Sequence, residues 1–349
     1  MKLYHISHTD LDGYGCQFIS KKVFDDVVFY NANYGLEVKL FIQDALQKIE
    51  QEDKTTDIFL LITDLNLSVD ETKNLDSHIS RLINGGYNIK LQLLDHHGTG
   101  KKSADRFDWY FLDTSRSATK ITYDYFYKHY QEFHKYCDED FNQLIKAINA
   151  VDIWLEDDEL FEFGKVCMSI ISKSYEINTL LFSNKSREYK FFLLEKAMKF
   201  VNQPNGHILL DEAIYHLKKE FLNITDKNDT IDNLSSSYLV DALEDKKDEF
   251  TVYYNDKKGL LTYTLGNISI PANLFLKSNP SFDFFIDISR RGKAGFRANN
   301  KLDVSLLAQK LANGGGHPNA SGAAFDDFKE TVLYDEVKEF IQNKLDNCR

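Results

Sequence analysis

Long uncharged apolar runs are missing from this chain, as are paired cysteines and any surplus of basic charge. No stretch approaches the roughly 18 to 20 apolar residues of a spanning helix, and the start, MKLYHISHTD, lacks the apolar stretch of a secretion signal. Cys16, Cys137, Cys167 and Cys348 form no C-x-x-C pair and no framework spacing. That argues against a disulfide scaffold and for free thiols in a reducing compartment, so the expected location is cytoplasmic. With 42 basic against 54 acidic side chains, a net charge of -12, the surface is poorly suited to long duplex DNA, whose capture depends on neutralising many phosphates. Short or mononucleotide ligands remain open, because a few local cations can hold them.

At 349 residues, with 43% hydrophobic and 13% aromatic side chains, the chain is expected to be globular and to form two domains. Its first 155 residues alternate strand-like runs (3–7, 27–32, 57–63, 88–94, 108–112) with amphipathic helical patterns (near 12–24, 37–51, 70–84, 117–135). This predicts an α/β domain built on a doubly wound, mostly parallel sheet. The unbroken run Phe59-Leu60-Leu61-Ile62 predicts a central strand buried on both faces. Residues 155–245 read as charged helices, with the polar stretch 223–237 as a joint. Beyond it come two hairpins, one turning at Asp256-Lys257-Lys258 and one at residues 290–293. A helix over 303–312, a strand near 321–325 and a last helix near 330–345 complete a smaller α+β domain. No internal repeat or low-complexity tract interrupts the pattern.

Five segments concentrate metal-ligating residue types: HTDLDG (His8, Asp10, Asp12), ITDL (Asp64), DHH (Asp95, His96, His97), AVDIW (Asp152) and GGGH (His317). The first three clusters follow the first, third and fourth predicted strands, and open α/β sheets bind ligands along that carboxyl edge. Asp152 is expected on a helix leaning over the same edge. Carboxylates and imidazoles suit divalent ions such as Mn²⁺, Fe²⁺ or Zn²⁺. Alternate residues of H-x-D-x-D project toward one side, and Asp64, from another strand, can bridge two ions. A metal pair about 3.5–4 Å apart activates water and neutralises a phosphoryl group, so phosphoester hydrolysis is the expected reaction. Taken singly, each segment has a plain structural use as a turn, a helix cap or a helix stop. Their joint occurrence favours a site.

On these segments the chain resembles the DHH phosphoesterase superfamily, in the branch with a C-terminal DHHA1 domain that includes RecJ-like exonucleases and the oligoribonucleases called nano-RNases. HTDLDG matches the first motif, TDL the second, DHH the third and Asp152 the fourth, while GGGHPNASG and GFRA resemble the substrate-binding segments of DHHA1. The resemblance implies a DHH catalytic domain over 1–185, a helical linker over 186–240 and a DHHA1-like domain over 241–349. It implies two divalent ions, Mn²⁺ first among them: one held by His8, Asp10 and Asp64, the other by Asp12, Asp64, His96 and Asp152. His97 then faces the substrate phosphate as a hydrogen-bond or proton donor, and Asp95 orients a histidine. Arg297, His317 and the glycines Gly314, Gly315 and Gly316 grip a terminal phosphate or ribose, with Arg116 approaching a phosphate from the loop 113–119.

The implied enzyme is a Mn-dependent phosphodiesterase that hydrolyses short oligoribonucleotides or linear dinucleotides to mononucleotides. Alternatives are a cyclic-nucleotide or pApA phosphodiesterase, a pAp phosphatase, a 5'-3' single-strand exonuclease and a non-catalytic nucleotide-binding module. The expected partner is a short RNA or nucleotide, with neither long duplex DNA nor a membrane, and a homodimer is left open. Two departures stand out: Asn313 takes the first place of the family's usual run of four glycines, and AVDIW replaces the threonine-aspartate-threonine of one subgroup.

Overall fold

The computed structural model describes residues 1–348. It divides into two compact units, one of Met1–Ser174 with Arg187–Tyr215, the other of Tyr175–Ser186 with His216 onward. The helical stretch 186–240 is therefore shared between the units.

In the first unit β1 (Lys2–Ser7), β2 (Val27–Asn31), β3 (Asp57–Thr63), β4 (Asn88–Asp95) and β5 (Tyr110–Leu112) form a wholly parallel sheet in the order β2-β1-β3-β4-β5. The chain moves outward from β1 to β2, then crosses to the other side of β1 for β3. The carboxyl ends of β1 and β3 therefore flank the switch point, where neighbouring connections diverge and leave a crevice.

Strand alternation sorts the two faces. Tyr4, Ile6, Ile58, Leu60 and Ile62 pack with Val38 and Leu46 of the helix Leu36–Gln51 and with Leu75 and Ile79 of the helix Val69–Asn84. On the opposite face Phe59 meets Phe24 and His5 meets Ser20, beside the helix Leu11–Val23. Phe59, Leu60, Leu61 and Ile62 are fully buried, each contributing roughly 1.5–3 kcal/mol by area removed from water. The helix Val69–Asn84 starts on a reciprocal cap in which Ser68 and Glu71 each accept from the other's backbone N–H.

The second unit carries a mixed sheet of β6 (Thr251–Tyr254), β7 (Lys257–Tyr263), β8 (Phe284–Ile288), β9 (Lys293–Ala298), β10 (Gly315–His317) and β11 (Ala320–Ala324), in the order β10-β11-β9-β8-β7-β6. The turn between β6 and β7 is tighter than the sequence suggested. Asn255 takes the left-handed conformation at φ +53°, and Lys257 and Lys258 pair within β7. Strands β7 and β8 run parallel, which a tight turn cannot achieve. Their crossover is the helix Ser269–Ser278, missed in the sequence because it is short and carries Pro271 in its first turn, a place that tolerates the absent N–H. The polar stretch 223–237 is only partly irregular, since the helix Ile231–Lys246 begins on a Thr230 cap. No helix among the described residues is long and apolar enough to cross a membrane.

Candidate metal centre

The switch point of the parallel sheet gathers His8, Asp10, Asp12, Asp64, His96 and Asp152. Asp10 caps the helix Leu11–Val23, accepting from the Gly13 N–H at 3.0 Å on one oxygen and lying 2.8 Å from His8 Nδ1 on the other. Gly13 is obligatory there, because a Cβ would stand 2.3 Å from the His8 carbonyl oxygen. Asp12, on the first turn of that helix, is buried and accepts from the N–H groups of Ala118 and Thr119 at 2.7 and 2.8 Å. The helix Ala118–His129 thus points its positive end at this carboxylate.

Asp64 follows β3 with its backbone in the left-handed region at φ +56°, a conformation Asp tolerates better than most residues. Its N–H is tied to the Leu94 carbonyl at 3.1 Å, and the strained turn directs a buried carboxylate inward. His96 Nε2 lies 3.4 Å from Asp64, 3.6 Å from Asp152 and 3.8 Å from Asp12, while His8 Nδ1 lies 3.7 Å from Asp64. Asp152 is the last residue of the helix Glu139–Asp152.

Those separations are too long for good hydrogen bonds. They suit ligands that share a cation at about 2.0–2.2 Å each. Ligand atoms converge in three groups, His8-Asp10-Asp64, Asp12-His96-Asp152 and Asp64-His96-His97, each with its atoms within 4.8 Å of one another. Asp64 Oδ2 and Asp152 Oδ2 are buried without a hydrogen-bond partner. Buried carboxylate oxygens left so are costly unless a cation compensates them, so the donor set fits divalent metal.

The electrostatics agree with a site built around missing positive charge. Burial, then the charges of Asp12, Asp10 and Asp152, hold Asp64 well above the ordinary carboxylate range. Burial also raises Asp12, and burial with the charges of Asp12 and Asp10 pushes Asp152 up to about 9. For Asp10 burial acts upward, but the His8 hydrogen bond and charge outweigh it and bring the carboxyl down to about 2. Burial lowers His96.

His97 is different. Its Nδ1 is 2.7 Å from Asp95 Oδ1, and that hydrogen bond raises its pKa, favouring the imidazolium. Asp95 is itself fully buried and accepts from the Tyr110 hydroxyl at 3.0 Å. Gly100 makes room for that hydroxyl, since a Cβ would lie 2.1 Å from it. Asp95→Asn should therefore lower turnover roughly 10- to 100-fold, the usual effect of removing an orienting partner. It should also move the acid-side to alkaline-side balance of the pH–rate profile toward lower pH. An unchanged profile would place His97 outside the proton transfers.

Several supporting residues carried no signal in the sequence. Tyr34, nearly half exposed, places its hydroxyl 3.3 Å from the His97 ring nitrogens and its ring 5.3 Å from that of His8. Asn31 donates to the His8 carbonyl at 2.9 Å, and the buried Arg187 donates to Asn31 Oδ1 at 3.1 Å and to Gln17 Oε1 at 3.1 Å. Only the position of Asn31 at a strand's carboxyl end could have marked it.

The other sequence candidates lie elsewhere. Arg116 is engaged by two carboxylates, Asp113 at 2.7 Å and Asp124, so its charge is already compensated in the loop. In the second unit Arg297 and His317 both pair with Ala320 in register, on β9 and β10 either side of β11. Residues level across adjacent strands share a face, which puts the two cationic-type side chains in one row. Arg297 donates to the Ser269 hydroxyl at 3.1 Å, and His317 is exposed. Asn313 caps the helix Val304–Ala312 in the left-handed conformation at φ +51°, one of the few non-glycine residues suited to that place. Gly314 and Gly316 pack so close to β11 that a Cβ would meet backbone atoms at 2.3 and 2.6 Å.

No family model matches the chain. A Helicobacter pylori protein named 3',5'-cyclic-nucleotide phosphodiesterase is 43% identical over 348 residues, covering all of both chains. The Bacillus subtilis oligoribonuclease NrnB is 25% identical over 337 residues, which span 93% of this chain and 73% of that one. The crystal structure of an uncharacterized protein from Helicobacter pylori G27 superposes with a TM-score of 0.94 at 43% identity, covering 99% of each chain. With a full-length relative at that identity, and with the motif residues gathered as described, the chain belongs to the DHH phosphoesterase superfamily.

Proposed function

We propose that this chain is a divalent-metal-dependent nucleotide phosphodiesterase that cleaves small substrates, with 3',5'-cyclic nucleotides first and linear dinucleotides or very short RNA second. The observation that supports it most is the pair of donor groups, His8-Asp10-Asp64 and Asp12-His96-Asp152, meeting at Asp64. The order of substrates follows the name of the relative that is 43% identical over the whole chain, and the second class follows the oligoribonuclease at 25%. A net charge of -12 agrees with a substrate of one or two phosphates.

Two divalent cations, Mn²⁺ in the first place, supply charge on the phosphoryl oxygens and a more acidic water when bound. The chain's own groups do the rest. Asp64 joins the two donor groups, and the Ala118 and Thr119 amides fix Asp12. His97, whose protonated form the Asp95 hydrogen bond favours, donates to the departing ester oxygen as water adds to phosphorus, the P–O ester bond breaks and the monoester forms. Arg297, His317 and the Gly314–Gly316 backbone serve substrate binding, and Arg116 shapes its loop.

The test is product analysis on 3',5'-cyclic AMP, dinucleotides, RNA of graded length and pAp, with Mn²⁺ and with chelator. Hydrolysis of diesters to monoesters, lost on chelation, is expected. Rates indifferent to chelation, or release of phosphate from pAp alone, would overturn the reading. In the same assay His317→Ala should raise KM for nucleotides while sparing a small aryl diester.

A further inference from the structure

Two residues beyond Asp152 the chain bears an exposed tryptophan in a strained backbone. Trp154 has φ +58° and is 57% exposed, although a bulky residue in the left-handed region costs about 1–2 kcal/mol and an exposed indole forgoes burial. The surrounding structure keeps the ring in place. Its indole N–H donates to Glu156 Oε1 at 2.6 Å, and Phe161, buried in the next helix, meets it edge to face with centroids 5.1 Å apart. Leu155 N–H returns to the Ala150 carbonyl at 2.7 Å, locking the turn. A residue held at such a cost, with most of its surface open and its Cα at most about 7 Å along the chain from that of Asp152, is a preorganised flat surface beside the metal centre.

The charge around it selects the occupant. Glu156, Asp157, Asp158 and Glu159 follow directly and are all exposed. A phosphate is repelled from this place, whereas an uncharged aromatic base is not. We propose that Trp154 is a stacking platform for the nucleobase of the substrate whose phosphate lies at the metal centre, an assignment that rests on the nucleotide phosphodiesterase reading above. Stacking is tolerant of base identity because every base offers a π face, and removing such a platform typically weakens binding about tenfold or more per base.

Trp109 and Trp154 are the chain's two tryptophans, so Trp109→Phe leaves the platform as the sole indole. In that variant, loaded with Mg²⁺ to avoid paramagnetic quenching, AMP is expected to quench the fluorescence saturably and ribose 5-phosphate to leave it unchanged. In the otherwise unaltered enzyme, Trp154→Ala should raise KM for cyclic AMP or a dinucleotide about tenfold with a smaller change in kcat. Trp154→Phe should restore most of the affinity, and an abasic dinucleotide should not distinguish the variants. No quenching by AMP, equal quenching by ribose 5-phosphate, or an equal loss on abasic substrate overturns the platform. Should no nucleotide be hydrolysed, the functional reading falls, while the fluorescence titration still decides whether Trp154 stacks a base.

Discussion

Asp64→Asn is expected to remove metal binding at both donor groups and to cut turnover by on the order of 10³-fold or more, the scale on which loss of a central electrostatic element acts. Asp64 lies against His8 on one side and His96 on the other, so no neighbour can replace it in both groups. Asparagine is the informative substitution. It keeps the side-chain shape and accepts the positive φ of +56°, whereas alanine adds strain of about 1–2 kcal/mol. The metal-free variant should unfold at the same temperature as the parent or higher, because the change removes a buried carboxyl crowded by Asp10, Asp12 and Asp152. Metal content after gel filtration, activity and thermal unfolding measured on one preparation check all three expectations. A variant that retains a full metal complement and more than a tenth of the parent rate would show that Asp64 is not the shared ligand.

The parts of this molecule that could be read in the sequence are those where one short segment carries a complete physical instruction. The run Phe59 to Ile62, bounded by Asp57 and Asp64, reads as a strand buried on both faces, and it lies at the middle of the parallel sheet. In Asp10-Leu11-Asp12-Gly13 the ligand-type carboxylates after a strand were legible, while the cap at Asp10 and the close approach at Gly13 show only in the fold. What could not be read depends on partners distant in sequence. Arg187 reaches Gln17 and Asn31 across more than 150 positions. Tyr34 meets His97 from the opposite side of the sheet's switch point, and neither residue type signals such a role alone. The crossover helix Ser269–Ser278 was hidden for another reason. Its ten residues are few and include Pro271 in the first turn, so only the parallel pairing of β7 with β8 shows that a helix must intervene. For Arg116 the family resemblance implied an approach to phosphate, and in the fold its guanidinium is held by Asp113 and Asp124.

Removing metal should make the stability of this protein fall as pH rises, and restoring it should reverse that trend. Without cations, Asp64 and Asp12 are raised above the ordinary carboxylate range and Asp152 to about 9, with burial the first cause for each. The native state therefore keeps protons that the unfolded chain, titrating near pH 4, has released. Where the native state binds more protons, stability declines with increasing pH, by up to about 1.4 kcal/mol per unit for each such carboxyl. The decline should begin above the unfolded carboxylate range and continue to about pH 9, the value for Asp152. His97 adds to it: its raised pKa contributes stability below the ordinary histidine range that is lost as pH climbs through the folded value. Asp10, held down to about 2, works in the other direction, contributing stability above its unfolded pKa that disappears only in strong acid. A bound cation requires the same carboxylates ionised, so binding expels their protons and strengthens with pH. Melting temperatures in chelator and in saturating Mg²⁺ or Mn²⁺ should accordingly diverge between pH 5 and 9, with calorimetry in buffers of different ionisation enthalpy reporting proton release on metal binding. A gap that stays constant across that range, with no protons released, would mean that the carboxylates are already ionised and compensated by something other than metal.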